Sequence, residues 1–420
     1  MQHTELYIIL ATLFGLLMTF GVGANDLANV MSTSMGSKAI SVKQAIIIAI
    51  IFEFAGAFLG GIQVSDTIRH GIINTDVLNA HPQEFIYGML SVLLAGSTWM
   101  FLASYLGLPV SITHTIIGSI VGFGAIKLGM GSIEWGHVKI IAISWISSPA
   151  IAGILSYFLF MSIQWLIFSK LHPFGYVKRY APLYLFLVGI AISTASVTRG
   201  LRHYGVQLST MGGIVLATAV GLAVMLIGVF LMRNIQLPPK ATRNQEFETV
   251  EKVFGILMLF TAAAMVFAHG SNDVAIAVGP IAAIVGVVQA NGNLLVSQPI
   301  PYWTIFLGAS GVVLGLLIYG RNVIATVGHG ITTLTPSRAF AATISAAFTV
   351  VIATGTGIPV SATQTLVGGV LGVGLARGIG ALNINVIRNI FMSWIITIPA
   401  GALFTIGWYY VLRLILGQSS

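Results

Sequence analysis

Pro109-Val110-Ser111-Ile112-Thr113-His114-Thr115 recurs as Pro359-Val360-Ser361-Ala362-Thr363-Gln364-Thr365, at a fixed offset of 250 residues. The register holds beyond the motif. Gly118, Gly122 and Gly124 match Gly368, Gly372 and Gly374, and eight of the 17 positions from Leu108 to Gly124 are identical. Upstream, Gly23-Ala24-Asn25-Asp26-Leu27-Ala28 pairs with Gly270-Ser271-Asn272-Asp273-Val274-Ala275, and His70-Gly71-Ile72 with His329-Gly330-Ile331. Downstream, Ser144-Trp145 through Pro149-Ala150 pairs with Ser393-Trp394 through Pro399-Ala400. All four features keep their order, so the chain is a duplicated unit. The repeats are expected at 1–168 and 253–420, with linker helices and a basic loop over 169–252.

Composition places the duplicated unit in lipid. Of 420 residues, 56% are hydrophobic and only 7% charged, with a mean hydropathy of +0.96. A soluble chain carries roughly 25% charge. A soluble enzyme, a disordered scaffold and a nucleic-acid partner are thereby excluded. The 19 Lys and Arg form no basic patch and suit cytoplasmic loops and helix ends instead. There is no cysteine, which excludes thiol catalysis and Cys-ligated metals. No Lys or Arg precedes the first apolar run, so that run reads as a retained span rather than a signal peptide.

A spanning helix needs about 20 apolar residues. Such runs lie at Leu6–Val22, Val42–Ile62, Phe85–Leu106, Val138–Phe168, Leu183–Thr198, Leu208–Met232, Val253–Ala268, Tyr302–Tyr319, Arg338–Ala353 and Val386–Leu416. Pro109–Ile126 and Pro359–Ala376 are apolar but crowded with Gly, Ser and Thr. The expectation is an all-α polytopic membrane protein with about 12 membrane segments. The runs are continuous, which argues against a barrel. The loops around Lys170–Arg179 and Arg233–Lys252 are basic and share one side, with Arg199 and Arg202 opposite. That bias makes the first side cytoplasmic.

Duplication with Pro- and Gly-broken segments at matching places points to the binding site of a secondary transporter. Proline before Ser and Thr predicts a short helix that begins inside the membrane. A helix N-terminus offers unpaired N–H groups and about half a positive charge. With the hydroxyls of Ser111, Thr113 and Thr115, and of Ser361, Thr363 and Thr365, it becomes an anion site without basic residues. The alternative is that these small residues only pack helices closely. His114 lies in the first motif and Gln364 in the second, so a shared role is hydrogen bonding.

Asn25-Asp26 and Asn272-Asp273 each follow an apolar run and sit beside glycine. An ionised Asp at that depth costs at least about 2.5 kcal/mol. The glycines let the backbone leave helical geometry and free carbonyls for a cation. Hard oxygen ligands suit Na⁺ rather than soft metals. A plain capping Asp explains one copy better than two in register. Carboxylates beside an anion repel it by about 4 kcal/mol at 4 Å and an effective dielectric of 20, so bound cations, and hence ion-coupled symport, follow. Hydrogen phosphate can donate its P–OH to an Asp oxygen, which sulfate cannot. Glu53, mid-span, is a gating or ion-linked candidate, with structural pairing as the alternative.

At these residues the chain resembles the inorganic phosphate transporter (PiT) family. Its signature reads here as Gly23-Ala24-Asn25-Asp26-Leu27-Ala28-Asn29-Val30 and as Gly270-Ser271-Asn272-Asp273-Val274-Ala275-Ile276-Ala277. The two Pro-Val-Ser motifs, Ile51-Phe52-Glu53 and Asp66-Thr67-Ile68-Arg69-His70-Gly71-Ile72 also fit. The resemblance implies inverted halves, two re-entrant helical hairpins, a homodimer in the plasma (inner) membrane, and phosphate uptake coupled to Na⁺ or H⁺. The form around Glu53 is similar to the Na⁺-coupled branch.

Carried over, phosphate would meet Asp26, Ser111, Thr113, His114, Asp273, Ser361, Thr363 and Gln364. Cations would meet Asn25, Asp26, Asn29, Asn272 and Asp273, with Na⁺ at Asn25, Asp26, Asn272 and Asp273. No cofactor beyond the coupling ion is implied. Ile276 departs from the second Asn of the motif, Gln364 replaces a common His, and Thr343 stands near where many relatives carry a Glu matching Glu53. The reading is a Na⁺-coupled phosphate symporter, not an enzyme. The alternatives are a proton-coupled phosphate or metal-phosphate symporter, or a sulfate permease of the same family.

Overall fold

A computed structural model describes residues 4–74, 79, 82–195, 208–293, 299–327 and 332–417. Arg199, Arg202 and the His329-Gly330-Ile331 twin lie outside the described residues. The described part is helical, without a β-strand, and carries nine helices long and apolar enough to cross a membrane. The chain is an integral membrane protein.

The order is α1 (Thr4–Gly36), α2 (Val42–Gly60), α3 (Ile62–His70), α4 (Pro82–Tyr105), α5 (Ile112–Lys127), α6 (Trp135–Phe168), α7 (Pro173–Ala195) and α8 (Thr210–Met232). It continues with α9 (Arg243–Gln289), α10 (Tyr302–Val327), α11 (Pro336–Gly355), α12 (Ala362–Ala376) and α13 (Ile384–Leu416). The short helices α5 and α12 are the two Gly-rich segments. Each starts only at the third residue after its proline, because Pro109-Val110-Ser111 and Pro359-Val360-Ser361 are not helical. Ser111 and Ser361 are the N-caps.

The Asn-Asp segments differ from expectation. The backbone does not leave the helix there. It passes through one π turn, Gly23–Leu27 in α1 and Gly270–Val274 in α9, and continues as α-helix. The extra residue of a π turn widens the helix locally, a feature frequent at functional sites. Val253–Ala268 is thus the middle of a 47-residue helix. The glycines serve packing rather than unusual dihedrals: the helix runs into both π turns at ordinary helical φ, with −56° at Gly270 itself. A Cβ on Gly23 would overlap the Val312 carbonyl of α10, and one on Gly270 the Glu53 carbonyl of α2. Backbone cannot swing aside as a side chain does. Gly23→Leu or Gly270→Leu is therefore expected to cost more than the usual ~1–3 kcal/mol of overpacking, read as lost monodisperse protein in size exclusion.

The two halves repeat these contacts. Gly56 of α2 abuts Phe267 and Ser271 of α9, and Gly315 of α10 abuts Phe20 and Ala24 of α1. By this pairing the counterpart of Glu53 is Val312. Thr343, on α11, takes a different place and faces Thr33 at 3.2 Å, so it is not the match of Glu53 that the sequence resemblance implied.

Each short helix packs on the long helix of the other half. Gly118 and Gly122 of α5 lie against Ile398 and Ala402 of α13, while Gly368 and Gly372 of α12 lie against Pro149 and Gly153 of α6. Hydrogen bonds repeat with the same logic: Ser393 Oγ donates to the Pro109 carbonyl at 2.9 Å and Ser144 Oγ to the Pro359 carbonyl at 3.3 Å. Both extended segments are thereby held from outside by the opposite half.

Candidate functional site

The π turns of α1 and α9 and the starts of α5 and α12 converge on one buried polar centre. Asn25, Asp26, Asn272, Asp273, Ser111, Thr113, Ser361 and Thr363 are all buried there.

The asparagines clamp the extended segments. Asn25 Nδ2 donates to the Leu108 carbonyl and to Ser104 Oγ, and its Oδ1 accepts from the Val110 N–H at 3.3 Å. Asn272 Nδ2 donates to the Val360 carbonyl at 2.6 Å, and its Oδ1 accepts from the Val360 N–H at 3.2 Å. An Asn side chain matches one peptide edge with a donor and an acceptor. Asn29 Nδ2 donates to Asn25 Oδ1 at 3.1 Å, leaving Asn29 Oδ1 without a donor.

The aspartates are not equivalent. Asp26 Oδ2 accepts from the Ile112 N–H at 3.2 Å, in the first turn of α5, and its Oδ1 accepts from Thr363 Oγ1 of α12. One carboxylate thus ties the starts of both short helices, where the helix dipole favours a negative charge. Both oxygens of Asp273 lack a hydrogen-bond partner. Thr113, the counterpart of Thr363, donates instead to the Val360 carbonyl at 2.7 Å. Ser111 Oγ and Ser361 Oγ accept from the N–H of His114 and Gln364, each capping its own helix. A hydroxyl that accepts this way keeps its proton free to donate.

His269 completes the centre. Its Nδ1 lies 2.6 Å from Glu53 Oε1, both side chains fully buried. Single ligand atoms of Asp26, His269 and Asp273 all lie within 4.8 Å of one another. In the sequence His269 is simply the residue before the second motif. The available signal was its spacing, four residues before Asp273, which sets both on one helix face. The counterpart of His269 is Val22 and that of Glu53 is Val312, so the ionisable pair occurs in one half only.

Not every candidate reaches the centre. His114 and Gln364 line a separate cavity with Trp145 and Trp394, between α6, α12 and α13. Ile276, where the first half has Asn29, is buried and supplies no polar atom.

A void of about 30 Å³ is lined by Asn29, Thr33, Pro109, Thr332, Leu334 and Thr363. That is room for about one water. The short helix α3 is fastened to the other half. Ser65 Oγ donates to the Ala275 carbonyl at 2.7 Å, and Thr67 Oγ1 to the Gly357 carbonyl at 2.8 Å.

The fold and this centre define a polytopic integral membrane protein, helical throughout its described residues, in which two copies of a motif build one buried polar centre. The profile described as the phosphate transporter family matches residues 22–405. A Haemophilus influenzae protein with the provisional name phosphate permease is 47% identical over 99% of this chain and 98% of its own. The chloroplastic inorganic phosphate transporter 2-1 of Arabidopsis thaliana is 36% identical over 98% of this chain and 73% of its own. A solved structure entitled the sodium-dependent phosphate transporter superposes with a TM-score of 0.89 at 36% identity, over 97% of this chain and 99% of that one. The chain belongs to the phosphate transporter family.

Proposed function

We propose that the chain is a secondary symporter that imports inorganic phosphate coupled to Na⁺ by alternating access. The observation that carries this reading is the joint of two short-helix N-termini at Asp26, with the unpartnered Asp273 within 4.8 Å. Two carboxylates that close repel by about 3.5 kcal/mol at an effective dielectric of 20, so the centre is built to receive positive charge. Asp273 and Asn29 Oδ1 offer oxygens for Na⁺, a preference hard cations share. The positive N-terminal ends of α5 and α12, with the hydroxyl protons of Ser111 and Ser361, offer attraction and donors for phosphate. The solved neighbour is described as a sodium-dependent phosphate transporter, which supports the same ion.

The topology belongs to this proposal. Glu84 at the start of α4 pairs with Lys127 at the end of α5 at 3.1 Å. Ser337 at the start of α11 bonds Glu251, beside Thr332, which accepts from Arg377 at the end of α12. Each short helix thus returns to the face its hairpin came from, and the hairpins come from opposite faces. That gives twelve segments in two inverted repeats, 1–168 and 253–420, around the linker helices of 169–252. Lys38, Lys43, Lys170, Lys178, Arg179, Arg233, Lys240, Arg243, Lys252 and Arg377 share one face by this topology, against Arg69, Lys127, Lys139 and Arg413. The first face is cytoplasmic by the positive-inside bias, in a plasma membrane. The narrow void then leads inward, and α3 closes the outside.

The deciding experiment is ³²P-phosphate uptake into proteoliposomes under an imposed Na⁺ or pH gradient, each with excess sulfate. Na⁺-driven uptake indifferent to sulfate supports the proposal. Uptake driven only by protons transfers the coupling to the second reading, which the Glu53–His269 pair favours. Sulfate uptake without phosphate uptake sinks the substrate. Ser111→Ala with Ser361→Ala is expected to weaken phosphate binding about tenfold or more, the worth of hydrogen bonds to a charged group, and to leave Na⁺ binding nearly unchanged. Calorimetric titration of each ligand checks it.

A further inference from the structure

The two hairpins end in opposite electrostatic arrangements. Matching the prolines that open α4 and α11 places Glu84 of Pro82-Gln83-Glu84 against Arg338 of Pro336-Ser337-Arg338, and the offset of 250 places Lys127 against Arg377. In the first half this is an ion pair, Glu84 with Lys127 at 3.1 Å. In the second half the same place holds two arginines.

Both arginines converge on one residue. Arg338 Nη1 donates to the Thr333 carbonyl at 3.0 Å and to Thr333 Oγ1 at 3.4 Å. Arg377 Nη1 donates to the same two atoms at 3.4 and 3.2 Å, and to Thr332 Oγ1 at 2.9 Å. Two cations that share one carbonyl repel each other. Arg338 also stands in the first turn of α11, at the positive end of the helix dipole. Among the described residues neither arginine forms an ion pair. Glu251, the acid closest in the fold to Arg338, gives both its oxygens to Ser337. Each guanidinium spends only Nη1 on the described residues, which leaves Nε–H and Nη2–H donors over. Arg338 is half-buried and Arg377 exposed, so these donors are open to water.

A guanidinium fork matches a tetrahedral oxyanion, and two forks without a carboxylate suit a dianion. The position names the dianion. Thr332, which accepts from Arg377, lines the same void as Asn29 and Thr363, and Thr363 bonds Asp26. The arginines thus stand beside the ion centre's own void and not on the lipid-facing flank.

We propose that Arg338 and Arg377 form a second, Na⁺-independent binding site for inorganic phosphate at the cytoplasmic end of the second hairpin, which holds phosphate on its way out of the ion centre. The exit role and the cytoplasmic side rest on the symporter reading above; the binding rests on the arginines alone. An oxyanion shared by both guanidinium groups ties the start of α11 to the end of α12, as Glu84 and Lys127 tie α4 to α5.

The test is equilibrium binding of ³²P-phosphate to the full chain in phosphatidylcholine nanodiscs, in choline chloride and in NaCl. The unaltered protein is expected to retain phosphate without Na⁺. Sulfate is expected to compete there, because the forks read charge and not a P–OH. Arg377→Gln and Arg338→Glu are each expected to weaken this binding about tenfold, a factor equal to ~1.4 kcal/mol. Arg338→Glu also recreates the ion pair of the first half, so its unfolding temperature is expected to hold or rise, which separates a lost site from a lost fold. Absence of Na⁺-free binding, or equal binding by both folded variants, overturns the proposal. Native mass spectrometry from phosphatidylglycerol-containing nanodiscs reads the rival source of the same phosphate chemistry. A phosphatidylglycerol adduct that Arg338→Glu removes would make a lipid headgroup the occupant and also overturn it. Binding in nanodiscs needs neither a gradient nor a transport cycle, so its failure and a failure of Na⁺-driven uptake are read separately.

Discussion

Asp273→Asn is expected to abolish Na⁺-driven phosphate uptake while leaving the protein at least as stable without Na⁺. Both Asp273 oxygens are buried without a hydrogen bond, and the nearby His269 bonds Glu53 instead, so neutralising the side chain removes a charge that no hydrogen bond solvates, which is costly in a low-dielectric site. It also removes the repulsion from Asp26, about 3.5 kcal/mol at 4.8 Å and a dielectric of 20, and with it the pull on a cation. On that scale Na⁺ affinity falls by roughly two orders of magnitude. Asp26→Asn loses uptake as well but differs in stability. Its two oxygens hold the Ile112 N–H and the Thr363 hydroxyl, and an amide keeps only one acceptor. A drop in unfolding temperature is expected for Asp26→Asn and none for Asp273→Asn. Thermal unfolding in detergent with and without Na⁺ reads both. Persistent stabilisation by Na⁺ in Asp273→Asn would remove the cation from this centre.

The second large effect concerns the one-sided pair. Glu53→Val or His269→Val alone strands a buried charged partner, which costs about 3–5 kcal/mol. The double substitution reproduces what the first half already holds, Val22 against Val312. Replacing a buried pair by well-packed apolar residues is often neutral or stabilising, so the double variant is expected to be more stable than either single one. The double-mutant cycle isolates that coupling. Uptake is expected to stay lost in all three variants, because each breaks the buried Glu53–His269 pair that stands beside the Asp26–Asp273 centre. Additive losses of stability would show that the two side chains do not act as a unit. Restored uptake in the double variant would make the pair structural.

Much of the site was legible because duplication places the same chemistry twice. Pro109 and Pro359 marked the short helices, and the Asn-Asp pairs marked the buried charge. What could not be read was how the copies diverge. Thr113 and Thr363 are identical in sequence context, yet one bonds a carbonyl and the other Asp26. His114 and Gln364 sit among the motif residues but turn their side chains to another cavity, because successive residues on a helix point about 100° apart. Gly23 and Gly270 suggested a broken backbone. The structure shows tight helix crossing instead, since the missing Cβ serves either purpose and only the neighbour decides which.

From the sequence alone came the lipid environment, the duplication, the order of elements and the residue types of the buried polar centre. These follow from composition and local spacing, which fold-independent chemistry dictates. The tertiary structure decided that each short helix is held by the other half, that Glu53 meets His269 across 216 positions of chain, and that Asp26 is satisfied while Asp273 is not. Those outcomes depend on which buried surfaces face each other. A periodic sequence states which face of a helix is polar, but only packing selects its partner.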